Sequence, residues 1–346
     1  MKKSVLFTLA AALCLVLTGC GGVNSKTEEG MQQISALQYS DALALFDEAQ
    51  EAGENLRLIE RGRGIAYLGQ TSYEEARDAF LESLRLSDGL LADVDFDINY
   101  YLADAYIGLE EYENAEKAYS SIIDLRDDPT AYYLRGKVRL KQDAYTLAVD
   151  DFDKAVGMAP GDIEMIIDIY GALSESGYRQ AGEEYLRAAL ERGGKNLTAK
   201  NEGKIYYYLG EYQTAAVSLE EARSADGSDA ESSLYLGKAY EAVGEYNYAS
   251  NVYESYLARN PKSASVYNQL ALCKMAMGDY EGALENIQAG MQTGDASCMK
   301  SLSFNEIVAY EYLGEFKKAQ ALMSAYLTGY PNDEEALREQ TFLMTR

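Results

Sequence analysis

Asp93, Asp95, Asp97 and Asn99 stand at every second position of one short stretch, with Asp104 at the twelfth place, so that oxygen ligands recur at the spacing of a calcium loop. Ile98 occupies the place where such a loop turns on glycine, and Asp104 the place of its bidentate glutamate. The stretch also runs into a helical pattern, and acids at a helix start stabilise its dipole without an ion. The helix-start reading is adopted and no metal is assigned; melting that is the same with and without calcium is its expected signature. Glu74 with Glu75 and Asp150 with Asp151 are further carboxylate pairs, and they are expected on exposed helix faces. Acid–base work on a glycoside would need a pocket that raises one of the two pKa values.

Other chemistry is removed by composition. With no His among 346 residues there is no Ser-His-Asp or Cys-His pair, no H-E-x-x-H metal motif and no imidazole acid or base. The 31 Lys and Arg against 56 Asp and Glu give a net charge of -25, which repels phosphate backbones, so nucleic acid is not an expected partner. Cys273 and Cys298 follow the N-terminal pair Cys14 and Cys20. Their spacing does not decide whether they are bridged; Cys273 reads as a small buried residue and Cys298 as a loop residue.

Lys2 and Lys3 precede an apolar run from Val5 to Leu17, too short to span a bilayer as a helix but suited to an export signal. The Leu17-Thr18-Gly19-Cys20 sequence that ends it resembles the lipobox of bacterial lipoproteins. The resemblance implies a signal peptide over residues 1–19, lipid on the sulfur of Cys20, and a flexible linker over 20–29. Two or more acyl chains hold a protein stably on a membrane. The expected location is extracytoplasmic, on the outer face of the cytoplasmic membrane or on an outer membrane.

The elements that must position any site follow from a repeat. Tyr39, Tyr73, Tyr112, Tyr145, Tyr178, Tyr212, Tyr246, Tyr280 and Phe316 are separated by steps near 34 residues. Three places after each stands an alanine, from Ala42 to Ala319, and seven places after each a larger apolar residue, such as Phe46, Phe152, Tyr185 and Tyr253. Offsets of 0, 3 and 7 share one helix face. Nine places before the aromatic a small residue recurs, as at Gly64, Gly136, Gly203 and Gly237, where two helices can approach closely. Glycine marks the turn in Leu209-Gly210-Glu211-Tyr212, and Pro160, Pro261 and Pro331 each close a unit. Ser25-x-x-Glu28 predicts a capping box for the first helix, and five extra residues around Asp88–Ala92 predict a longer loop.

This pattern resembles the tetratricopeptide repeat, most fully over residues 230–263. The resemblance implies an all-α fold: a right-handed α-solenoid of about nine helix-turn-helix units over residues 30–331, with a capping helix over 332–346. It further implies that positions 2, 5, 9 and 12 of each first helix line a concave groove. Carried onto this sequence, those positions give Tyr133, Lys137, Tyr170, Lys200, Lys204, Tyr207 and Lys238. Two readings of this lysine and tyrosine strip stand. It binds an extended acidic peptide, or its lysines neutralise neighbours such as Asp104 and Glu231. The two-lysine, two-asparagine carboxylate clamp of some family members is not reproduced, because Lys204 and Tyr235 replace the asparagines.

The functional expectation is a lipid-anchored scaffold or adaptor of the bacterial cell envelope that binds proteins or acidic peptides on its groove. It is not expected to be an enzyme or to carry a cofactor. The alternative is an envelope enzyme or small-ligand receptor using acidic residues.

Overall fold

The computed structural model describes residues 25–87 and 93–346. The signal peptide, Cys20, the linker up to residue 24 and the longer loop at Asp88–Ala92 lie outside the described residues. The linker assignment nevertheless needs one correction: Ser25 to Glu29, given to it, are already helical.

Helices come in pairs. The chain divides into two compact units, one ending at Tyr185 and one beginning at Leu186. The first contains α1 (Ser25–Ser35) with α2 (Tyr39–Glu51), α3 (Leu56–Gly69) with α4 (Tyr73–Arg85), α5 (Asp93–Gly108) with α6 (Tyr112–Leu125), and α7 (Pro129–Lys141) with α8 (Tyr145–Met158). Next come α9 (Ile163–Glu175) and α10 (Arg179–Gly193), within which the boundary falls. In the second unit α11 (Ala199–Tyr208) pairs with α12 (Tyr212–Ala225), α13 (Ala230–Ala242) with α14 (Tyr246–Leu257), α15 (Ala264–Ala276) with α16 (Tyr280–Gln292), and α17 (Ala296–Tyr312) with α18 (Phe316–Gly329). The last helix, α19 (Glu334–Leu343), packs on α18 and buries Ala336 and Leu343. Within each unit a first helix also touches the first helix of the next hairpin, as α3 touches α5 and α11 touches α13, which is the stacking of an α-solenoid.

The repeat residues explain the hairpins. Ala42, Ala76, Ala115, Ala148, Ala215, Ala249, Ala283 and Ala319 are wholly buried, as are Phe46, Phe80, Tyr119, Phe152 and Tyr253 one turn further on. A side chain on Gly136 would put its Cβ 2.5 Å from the Phe152 ring, and on Gly237 it would lie 2.1 Å from the Tyr253 ring. The small residue of the first helix is therefore the socket for the large residue of the second. Since each hairpin leaves apolar surface for the next, stability is the sum of neighbouring interfaces.

Each turn places one residue in the left-handed region two positions before the second helix. In the second unit glycine supplies it, at Gly210, Gly244, Gly278 and Gly314. In the first unit Leu37, Thr71, Glu110 and Asp143 do so, with φ between 59° and 61°. A side chain there costs free energy, most clearly for β-branched Thr71.

The fifth hairpin corrects the repeat register. Its second helix starts at Arg179, not at Tyr178, and its left-handed residue is Gly177. Gly182 and Leu186 are buried where Ala181 and Tyr185 were expected. Small and large have exchanged helices: Tyr170 fills the first-helix socket position, and a Cβ on Gly182 would come within 3.0 Å of the Tyr170 Cα.

Two capping and helix assignments also change. The α1 amides of Lys26 and Thr27 donate to the Glu54 carboxylate at 2.9 Å each, so the first helix is capped from the turn between α2 and α3 rather than by Glu28. Cys298 lies in the first turn of α17, not in a loop, and both it and buried Cys273 are free thiols.

Candidate functional site

In the first unit the candidate face is built on α5, α7 and α9. The Tyr133 hydroxyl donates to Asp168 Oδ2 at 3.2 Å, and Lys137 Nζ, one helical turn along α7, donates to the Tyr133 oxygen at 3.0 Å. Tyr133 is buried against Phe152, and burial together with Asp168 pushes its phenol far up. Burial also pulls the Lys137 ammonium down, against the attraction of Asp168 and Glu175. On α5, burial pushes Asp104 up to about 7, and Lys137 offsets this only in part. Tyr133 and Lys137 meet because they stand four residues apart on one face of α7. Tyr170 does not join it: it lies in the core against Gly182.

The acids of the calcium-like stretch are taken by arginines. Asp95 pairs with Arg57 and Asp97 with Arg61, both across from α3, and Ser87 Oγ donates to Asp95 at 2.9 Å. Arg57 and Arg61, four apart on α3, meet Asp95 and Asp97, two apart on α5, because the two first helices stack on each other. Among the described residues no cluster of three or more His, Cys, Asp or Glu side chains is placed to hold a metal ion.

Asp151, expected at the surface, is buried. Its side chain is 1% exposed, with Arg135 Nη2 at 2.8 Å from Oδ1 and Arg139 Nη1 at 2.8 Å from Oδ2. Arg135 and Arg139 project from α7 one turn apart and close over it, so the pairing partners, not solvent, hold the carboxylate.

In the second unit the face is built on α11 and α13. Lys200 Nζ lies 2.6 Å from Glu231 Oε2 and 3.1 Å from Asp229 Oδ2. Lys204, wholly buried, pairs with the other oxygen of Glu231. Burial acts to raise Glu231, but the two lysines outweigh it and hold the carboxyl below its ordinary value. Burial likewise pulls Lys200 down, and its bonds to Glu231 and Asp229 hold it above the ordinary range. For these two lysines the neutralising arrangement holds, and Lys204 is not at the surface.

What remains is an aromatic ledge carrying one cation. Tyr207 sits edge-on to Tyr208, Tyr212 and Tyr235, with ring centroids 5.7, 5.5 and 5.3 Å away. The Tyr208 and Tyr235 hydroxyls are 2.8 Å apart. Lys238 Nζ, one turn along α13 from Tyr235, lies 5.9 Å from the Tyr235 ring centre, and Lys204 Nζ, from α11, lies 5.4 Å from it. Lys238 makes no ion pair among the described residues. Tyr235 was missed as a site residue because it falls outside the groove positions carried over; its i, i+3 relation to Lys238 was the available signal.

Comparison with known proteins follows the same lines. Residues 28–90, 96–163 and 200–247 match the tetratricopeptide repeat family. The chain is similar to the Hsp70-Hsp90 organizing protein of Triticum aestivum, 25% identical over 237 residues, which is 66% of this chain and 40% of that protein. It is also similar to the BBSome complex member BBS4 of Bos taurus, 18% identical over 280 residues, 81% of this chain and 44% of that protein. The chain thus spans less than half the length of these curated relatives. The crystal structure of a tetratricopeptide repeat protein from Parabacteroides merdae superposes with a TM-score of 0.52 over 84% of this chain and 99% of that one; at 11% identity the likeness is one of fold.

Proposed function

This chain belongs to the tetratricopeptide repeat family, whose members act as protein-interaction scaffolds, and on that premise we propose that it is a lipid-anchored scaffold or adaptor of the bacterial cell envelope. Partner proteins or extended acidic peptides dock on the first-helix face, and no catalysis is involved. The observation that carries this reading is the ledge of Tyr207 and Tyr235 with Lys238, which makes no ion pair among the described residues: Glu241, the acid one turn along α13, feels its charge but spends its carboxylate on the Tyr253 hydroxyl and the Cys273 thiol. An extended acidic segment brings the missing carboxylate, while the tyrosines supply rigid apolar area at low entropic cost.

Peptides selected from a displayed random library on the purified protein test this. Enrichment in Asp and Glu, with binding weakened about tenfold or more by Lys238→Glu, is the expected result, since a charge-assisted contact contributes roughly 1.5–3 kcal/mol. Equal binding to the variant removes the ledge from the account. Lys204 is unsuitable for the same reversal, because a buried carboxylate beside Glu231 would disturb the fold itself.

The anchor rests on Lys2, Lys3, the apolar run and Leu17-Thr18-Gly19-Cys20. No helix among the described residues is long and apolar enough to cross a membrane. A lipid on Cys20 would hold the chain at the outer face of the cytoplasmic membrane or at an outer membrane, among envelope partners. Labelled palmitate incorporated by the natural chain and lost in Cys20→Ala is expected; equal labelling of both would place the lipid elsewhere.

A further inference from the structure

Away from the ledge, α19 is tied down mostly at its two ends. At its start Asp333 receives Lys300 Nζ at 2.8 Å and the Tyr326 hydroxyl at 2.9 Å. At its close Gln320 Nε2 donates to the Leu343 carbonyl at 2.6 Å, and the Arg346 guanidinium stands 4.8 Å from the Phe342 ring centre. The helix buries Ala336 and Leu343, which join Ala319, Met323 and Tyr326 of α18 in one apolar cluster, while Leu337 and Phe342 stay exposed. So little burial docks the helix by a small free energy, which a single added charge is enough to shift.

The middle of the helix meets a like group. Glu339 of α19 stands carboxyl to carboxyl with Glu311 of α17. The Glu311 Oε1 atom is shut off from solvent and has no hydrogen-bond donor among the described residues. Nor does either carboxyl make an ion pair there. The charged side chains on the surrounding helices are committed elsewhere: Lys274 of α15 to Glu254, Lys300 of α17 to Asp333, and Lys318 of α18 to the face of the Tyr310 ring. Glu315 and Lys317 at the start of α18, and Arg338 of α19, do not act on Glu311; burial and Glu339 alone set its environment.

Two touching carboxyls in a partly buried place cannot both ionise without cost, so one proton stays between them. Protonated, the pair is a hydrogen bond that ties α19 to α17. Ionised, it is a repulsion at the same point, with no cation to relieve it.

We propose that the Glu311–Glu339 pair is a pH-operated latch on α19: with one proton between them the carboxyls hold the helix against α17 and α18, and without it they push it away and uncover Ala319, Met323 and Tyr326. Burial, and after it Glu339, push the Glu311 carboxyl from its ordinary 4.5 up to about 7. Because the docked carboxyl keeps its proton to a higher pH than the free one, the hold is complete below 4.5, weakens as pH rises, and is gone above about 7.

Hydrogen exchange of the purified full chain, read by mass spectrometry and corrected for the intrinsic exchange rate, tests the latch. From about pH 5 to about pH 8 protection of α19 should fall about tenfold or more, since linkage to one proton allows at most about tenfold per pH unit. Over that range Asp333, held down at about 2, keeps its charge and its ties, so the start of the helix does not change. Glu311→Gln and Glu339→Gln each replace the shared proton by an amide donor that does not titrate. Protection of α19 should then be level with pH and close to the low-pH value of the natural chain. Glu306→Gln, which removes the other carboxyl of α17 that burial raises, is the control and should leave the decline in place. Level protection in the natural chain overturns the proposal, and so does a decline that persists in Glu311→Gln and Glu339→Gln or that disappears in Glu306→Gln.

Discussion

Replacing Asp151 by alanine removes the carboxylate on which Arg135 and Arg139 both close, and leaves two guanidiniums that are 12% and 14% exposed facing each other. Breaking a buried ion pair by removing one partner costs roughly 3–5 kcal/mol, because the remaining charge has lost both solvent and its partner. Arg139 keeps Glu116 at 2.9 Å and the Leu147 carbonyl at 3.2 Å, and Arg135 keeps Ser120 at 2.9 Å. The expected loss therefore falls at the lower end, about 3 kcal/mol. Urea denaturation followed by circular dichroism at 222 nm measures it, and hydrogen exchange locates the opening at α7 and α8. Asp151→Asn keeps the shape and part of the hydrogen bonding, so it should lose less. The triple change Arg135→Met, Asp151→Leu and Arg139→Met should return stability to within roughly 1–2 kcal/mol of the natural chain, since apolar packing substitutes for a buried ionic cluster. A loss below about 1 kcal/mol in Asp151→Ala would refute the argument that this carboxylate is a structural clasp.

Gly237→Ala is expected to cost roughly 1–3 kcal/mol, because the added methyl meets the Tyr253 ring at 2.1 Å; unchanged thermal unfolding would contradict the socket packing. Thr71→Gly should instead raise the midpoint, by roughly 1 kcal/mol of relieved backbone strain at φ 61°, as read in the same urea titration. Lys300 holds Asp333 down at about 2, below the roughly 3.9 of an unfolded aspartate, so its stabilisation is present above about pH 4 and lost as pH falls through 2. Exchange protection of α19, which Asp333 caps through Glu335 and Ala336, should decline over that window; constant protection would show that the cap does not hold the helix. Millimolar calcium should leave the melting temperature unchanged, because Asp95 and Asp97 are already held by Arg57 and Arg61; a rise on addition would return the calcium loop to consideration.

The hairpins were legible because the repeat carries independent signals at several offsets, and the same offsets explain the one slip of register. Tyr178 imitates the aromatic that opens the other second helices, but the turn glycine, Gly177, sets the start at Arg179. Pattern matching weighted the aromatic, whereas the backbone obeyed the left-handed residue. Tyr170 was therefore assigned to the groove and found in the core.

Ionic pairing was less legible. Asp151, three places after Ala148 and four before Ala155, lies on the buried stripe of α8 while Asp150 does not, but the helix period places it there without naming its partners; only the projection of Arg135 and Arg139 from α7 does. Likewise the sequence leaves Lys200 and Lys204 open between a peptide-binding strip and lysines that neutralise acids such as Glu231, and only the placement of Glu231, from α13, between them decides it. Burial periodicity reports which face a residue occupies, but pairing depends on how long side chains meet across two helices.

The central claim, that the first-helix ledge of the second unit is where partners dock, is tested most directly by a photo-crosslinking amino acid placed at Lys238 in the full chain in living cells, with Glu221 on the exposed surface of α12 as the control position. The account predicts a discrete crosslinked partner from position 238 that is not obtained from position 221. The same adduct from both positions, or none from position 238 while position 221 gives one, would contradict it.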